Sequence, residues 1–137
     1  MAMNMDRIEK VVMYHKNGFN CSQAVFIAFA DKYGLNNNMS ARLSCAFGGG
    51  IGRQGLTCGA VLAMCMLIGL EEGNETAIDV QNRKHCYEIT KTLCDRFKKE
   101  YGSMQCSDII GVVPCREKVR LAAEIFEEYL ESKNVIA

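Results

Sequence analysis

Apolar residues in this chain recur at three- and four-residue spacings, the period of a helix face, and rarely alternate with polar ones as a strand would require. From Asp6 to Lys16, the residues Ile8, Val11, Val12 and His15 share one face, and Asn17-Gly18 supplies the stop. Asn20 followed by Gln23 reads as a capping box, which predicts a second helix with Cys21 as its first residue, running to about Tyr33 before Gly34. A short third helix is expected from about Ser40 to Phe47, capped by Asn38 or Ser40. Thr57 is placed to cap a fourth, from Cys58 to about Leu70, apolar on nearly every face and therefore expected at the centre of the core. Asn74 opens a long amphipathic helix to about Tyr101, with Cys86, Thr90, Leu93, Cys94, Phe97 and Tyr101 on one stripe and Gly102 behind it. A turn of helix around Ser107 to Ile110 leads to Gly111 and Pro114, and a last helix runs from Cys115 to about Ser132. Its stripe of Cys115, Val119, Ala122, Phe126 and Tyr129 suits packing in a bundle.

The expected fold is therefore all-α: a single domain over residues 1–137, an antiparallel bundle of five to six helices interrupted by one glycine-rich loop. That loop, residues 48–59, holds six of the 12 glycines, a density that no regular element tolerates, so its backbone must bend sharply or approach something closely. The longest apolar runs, Ala24 to Ala30 and Ala60 to Leu70, fall far short of the roughly 20 residues that span a bilayer, so no membrane insertion is expected. They also need cover, which makes a homodimer the expectation. The 16 basic and 16 acidic residues balance without blocks of either sign, which argues against nucleic acid as a partner.

Composition adds chemistry to this frame. Eight cysteines are many for a domain of 137 residues, and the stretch Met1 to Lys10 has no apolar core of a secretory signal. The expected location is cytoplasmic, where thiols serve metal binding or catalysis more often than structural bridges. The eight divide by position. Cys45, Cys65, Cys86 and Cys94 fall within helix patterns and read as small core hydrophobes, while Cys21, Cys58, Cys106 and Cys115 fall at helix starts. Helix N-termini carry free N–H groups and partial positive charge, which favour thiolate over thiol. These four are the candidate catalytic, cofactor-binding and metal-binding residues, with Cys65, seven residues after Cys58 and on the same helix face, held in reserve.

Other motifs carry less. Gly50-Ile51-Gly52-Arg53-Gln54-Gly55 matches the dinucleotide fingerprint, but no strand precedes it and no βαβ unit surrounds it. There is no C-x-x-C, so any redox pair must be assembled by the fold, and the knuckle spacing of zinc ribbons is missing as well. His15 and His85 read as packed or surface residues, Arg53 as a solvated loop cation, and the methionines as core packing and start-site context rather than copper ligands.

Phe47-Gly48-Gly49-Gly50-Ile51-Gly52-Arg53-Gln54-Gly55-Leu56-Thr57-Cys58-Gly59-Ala60 resembles the C_GCAxxG_C_C family over its central motif, with Ala63 here in place of the closing glycine. Asn20-Cys21-Ser22-Gln23 is similar to the family's first cysteine segment, and Cys106, after Tyr101-Gly102-Ser103-Met104-Gln105, and Cys115 to its third and fourth positions. The resemblance covers nearly the whole chain and singles out the cysteines that helix position did. It implies redox activity and names neither substrate nor cofactor.

Two mechanisms are expected to compete: an iron–sulfur cluster ligated by Cys21, Cys58, Cys106 and Cys115, or reversible disulfide formation among them, with Cys58 as nucleophile and Cys21 or Cys115 as resolving thiol. The first makes the protein an electron carrier and the second an oxidoreductase, each with a redox partner the sequence does not name. The alternative is a zinc-binding module without turnover.

Overall fold

The structure, a computed structural model, describes residues 5–136; Met1 and Met3 lie outside them. The described chain is all-α, with α1 (Met5–Lys16), α2 (Cys21–Ala30), α3 (Asn37–Ser44), α4 (Gly59–Glu72), α5 (Val80–Tyr101), α6 (Cys106–Ile109) and α7 (Cys115–Ile136). Single 3₁₀ turns, Asp31–Tyr33 and Cys45–Phe47, extend α2 and α3. No helix among the described residues is long and apolar enough to cross a membrane.

Local chemistry explains where these helices start. At α2 the capping box forms as expected: Asn20 Oδ1 accepts from the Gln23 N–H at 2.9 Å and Gln23 Oε1 accepts from the Asn20 N–H at 3.1 Å. Helix α3 begins earlier than its pattern implied, because the Asn36 side chain takes the Met39 N–H at 2.8 Å and so out-competes Asn38 and Ser40 as cap. The long helix begins later than Asn74. Asp79 caps it through the Asn82 N–H at 3.1 Å, while the Asn74 side chain donates to the Thr76 carbonyl and holds residues 73–79 in an irregular turn.

Helix α2 is the centre of the core, a place the hydropathy pattern assigned to α4. From Ala24 to Ala30 every residue of α2 is buried, and the helix packs against α1, α3, α4 and α7. Helix α4 is covered by α2, α5 and α7 on the side of Ala60, Val61, Ala63, Met64, Leu67 and Ile68, and its end at Leu70 is exposed. Phe29 of α2 and Phe126 of α7 meet edge to face at 5.2 Å between ring centres. Burying each such ring contributes about 2–3 kcal/mol.

This packing fixes the two ends of the molecule differently. At the C-terminal end of α4, Glu71 and Glu72 both accept from Lys133 of α7, at 2.6 and 2.7 Å, while Tyr33 donates to Glu71 and Tyr129 to Glu72. At the opposite end, the starts of α2, α4, α6 and α7 gather around the glycine loop.

Candidate functional site

Each of the four cysteines expected at helix starts stands at one. Cys21, Cys106 and Cys115 are the first residues of α2, α6 and α7. Cys58 differs by one position: it is the N-cap of α4, which begins at Gly59, and Thr57 is taken up in an isolated antiparallel bridge with Gln105 instead of capping.

That bridge is what brings distant cysteines together. The Cys58 N–H donates to the Met104 carbonyl at 2.7 Å and the Cys106 N–H to the Leu56 carbonyl at 2.6 Å. The segments before α4 and α6 therefore run side by side, antiparallel, and deliver both sulfurs to one place. Cys21 is held by its own cap: Asn20 Nδ2 donates to the Cys45 carbonyl at 3.0 Å, and the Ser22 hydroxyl donates to the buried Ser44 carbonyl at 2.7 Å.

The glycine loop does bend sharply and does approach something closely. Gly49, Gly50, Ile51, Gly52 and Arg53 all have positive φ, between 61° and 72°, and form a left-handed turn. Glycine adopts this freely, but Ile51 and Arg53 do not, and each costs about 1–2 kcal/mol there. The turn is held by backbone bonds such as Gly52 N–H to the Ala46 carbonyl at 2.7 Å and Leu56 N–H to the Gly50 carbonyl at 3.1 Å. A Cβ on Gly50 would lie 2.8 Å from the Cys106 Cβ and closer still to Leu56, so the loop lies on Cys106 only because that side chain is absent.

Under the loop is a cavity of about 510 Å³ lined by Cys21, Cys58, Cys106 and Cys115, and by Cys45. Cys58 and Cys106 are buried, Cys21 is half-buried, and Cys45 and Cys115 are exposed. Every one is a free thiol, and among the described residues no hydrogen bond joins any two of these sulfurs. The lining includes His15, Arg53 and Lys118 and no Asp or Glu. Lys118 is 1% exposed, with Nζ 3.9 Å from Cys115 Sγ.

Several expectations are corrected here. The Cys58 thiol is not acidified by its helix terminus: burial pushes it up to about 11, and the N–H groups of Ala60 and Val61 and the Lys118 charge recover only part of that. Cys45 is not a core residue. Helix α3 ends at Ser44, and the following 3₁₀ turn leaves Cys45 exposed at the cavity. His15 also lines the cavity, its imidazole held below the usual histidine range by burial and by the Arg116 charge. Cys65 does not join the site; its sulfur lies 3.8 Å from Cys94 Sγ on the α4–α5 interface. Cys94 is buried as read, whereas Cys86 is half-buried.

Lys118 was missed altogether. Its position directly before Val119, one turn after Cys115 on the buried stripe of α7, was the available signal.

The family model described as "Putative redox-active protein (C_GCAxxG_C_C)" matches residues 19–129, a span that starts just before Cys21 and holds all the cavity cysteines. The chain belongs to the C_GCAxxG_C_C family. No curated protein and no solved structure matches it. The family match runs from the cap of α2 into α7 and so includes the loop, the bridge and Lys118.

In kind, this donor set fits an iron–sulfur cluster: thiols from separate elements face one cavity whose other charged walls are cationic. A lone Zn²⁺ asks for ligands grouped about 2.3 Å from a single point. Among the described residues no three His, Cys, Asp or Glu side chains are grouped as any single metal ion would need.

Proposed function

We propose that this C_GCAxxG_C_C protein is an electron carrier in which Cys21, Cys58, Cys106 and Cys115 hold an iron–sulfur cluster in the cavity beneath the glycine loop. The observation that carries this reading is the distribution of the sulfurs. They stand on the walls of one cavity of about 510 Å³ without hydrogen-bonding one another, as ligands of a group held between them would and as partners of a direct disulfide would not. The cluster would supply one-electron transfer, and the chain supplies the rest.

The cationic lining supports the same reading. A cluster with thiolate ligands is anionic, and Lys118, buried at the cavity with a thiol as its neighbour, provides positive charge in a place shielded from water. The raised pKa of Cys58 works against unaided nucleophilic chemistry at neutral pH, but a thiol that coordinates a metal gives up its proton on binding. The left-handed turn lies on the buried Cys106, and the exposed Cys45 and Cys115 mark the open side of the cavity. That side is where a redox partner would approach.

The thiol–disulfide reading has one observation of its own. Cys21 Sγ lies against Gly59, the residue next to Cys58, and Cys21 acts electrostatically on the Cys58 thiol. One experiment separates the readings: anaerobic purification followed by a visible absorption spectrum with iron, sulfide and zinc measured per chain. Visible charge-transfer bands with stoichiometric iron and sulfide, lost in Cys58→Ser, are expected. A colourless, metal-free protein that forms a Cys21–Cys58 disulfide would replace the cluster by the dithiol, and zinc without iron or sulfide would replace both.

A further inference from the structure

Away from the cavity, α4 and α5 bring a second pair of thiols together. Cys65 Sγ and Cys94 Sγ are 3.8 Å apart, within hydrogen-bonding distance for sulfur, and neither residue lines the cavity. Cys65 follows Cys58 by two turns of α4, roughly 10 Å along the helix axis.

The pair is placed for chemistry rather than for packing alone. Both residues sit on long helices that pack against each other, so their backbones are held while the side chains can rotate. Closing a disulfide needs the sulfurs to approach by only about 2 Å. Cys65 is half-buried, which gives a small oxidant access that the buried Cys94 alone would not allow. Either S–H can donate across this contact, and the sulfur that accepts is the one favoured as thiolate. One sulfur is thus the better thiolate and its neighbour keeps the proton.

We propose that Cys65 and Cys94 form a second redox site, a dithiol that a small hydroperoxide oxidises to a disulfide joining α4 to α5. The thiolate of one partner attacks one peroxide oxygen, the O–O bond breaks, and the alkoxide or hydroxide leaving group takes up a proton as alcohol or water. That partner is then a sulfenic acid. The other sulfur attacks it, the S–S bond forms, and the sulfenic oxygen leaves as water with the second thiol's proton. The thiols lose two electrons in total and the hydroperoxide gains them. An external dithiol reverses the step by exchange, becoming a disulfide itself. None of this rests on what the cavity cysteines hold.

The test uses the reduced full-length protein, freed of reductant, treated with hydrogen peroxide, alkylated under denaturing conditions and mapped as peptides without reduction. The expected product is a peptide pair joined through Cys65 and Cys94, about 2 Da lighter than its reduced halves and separated again by dithiothreitol. In Cys65→Ser the pair is lost. Recovery of Cys65 and Cys94 as separate alkylated thiols, after treatment that oxidises Cys45 or Cys115 at the open side of the cavity, would overturn the proposal. So would a bond from Cys65 to the half-buried Cys86 instead. Because the map is made on the wild-type chain, the outcome stands even where the serine variant folds poorly.

Discussion

The sulfur of Cys21 rests on the backbone of Gly59, so closely that a Cβ on Gly59 would stand 2.6 Å from Cys21 Sγ and 2.7 Å from the Phe47 carbonyl oxygen. The first turn of α4 and the first residue of α2 thus meet with no room for a side chain between them. Gly59→Ala is expected to destabilise the protein by about 1–3 kcal/mol through overpacking, despite alanine's better helix propensity. Denaturant unfolding measures that loss, and iron bound per chain should fall with it as Cys21 is pushed off its place. An unchanged unfolding midpoint would mean that the start of α4 is looser than this contact implies.

Asn20 joins the α2 cap to the Cys45 turn through two different atoms, Oδ1 and Nδ2. Asn20→Ala removes both and should cost about 1–2 kcal/mol. Asn20→Asp keeps the acceptor for the Gln23 N–H and loses the donor to the Cys45 carbonyl, so it should recover most of the stability but leave Cys45 alkylating faster than in wild type. Thermal melts and timed alkylation with mass detection read the two effects separately.

Lys118 and Cys58 are linked by charge inside the cavity. In the metal-free protein, alkylation of Cys58 should rise with pH towards about 11, where its thiol ionises, rather than level off in the ordinary thiol range. Because the folded state holds this proton more tightly than the unfolded chain, stability should fall as pH climbs from the ordinary thiol pKa to that value. Lys118→Met removes a charge that favours the thiolate, and should slow Cys58 alkylation at mildly alkaline pH by about threefold. The apoprotein should unfold no more easily, since a buried ammonium that has no carboxylate partner among the described residues is gone.

The opposite end of the molecule should set its acid sensitivity. Burial alone would raise Glu71 and Glu72, but hydrogen bonds from Lys133, with Tyr33 on Glu71 and Tyr129 on Glu72, hold both carboxyls below the usual range. A depressed folded-state pKa means stability that is present above the unfolded value and lost as pH falls through the folded one. Unfolding followed below pH 4.5 should therefore show a loss that Lys133→Met largely removes. At neutral pH that variant should lose only about 1 kcal/mol, because Lys133 is 38% exposed and its bonds are screened.

Much of this protein is written locally. The all-α class, the capping box at Asn20, the stop at Gly102 and the placing of Cys21, Cys106 and Cys115 at helix starts all follow from signals a few residues long. Caps and stops act on the nearest N–H and C=O groups, so neighbouring residues suffice to read them. The density of glycine in residues 48–59 likewise announced a backbone that L side chains resist, and the run of positive φ from Gly49 to Arg53 is that backbone.

What only the tertiary structure decided is where those ends go and what surrounds them. The bridge of Thr57 to Gln105 spans 48 residues and aligns Cys58 with Cys106, and no local pattern encodes a pairing at that distance. Burial follows from it and reverses the acidity expected of Cys58, because a helix terminus offers a few N–H groups whereas desolvation acts on the whole charge. The same long-range packing turned Cys45 outward to the cavity, brought Lys118 inward, and paired Cys65 with Cys94 across two helices. A helix pattern in the sequence states which residues share a face. Which neighbour that face meets is settled by the packing of the other helices.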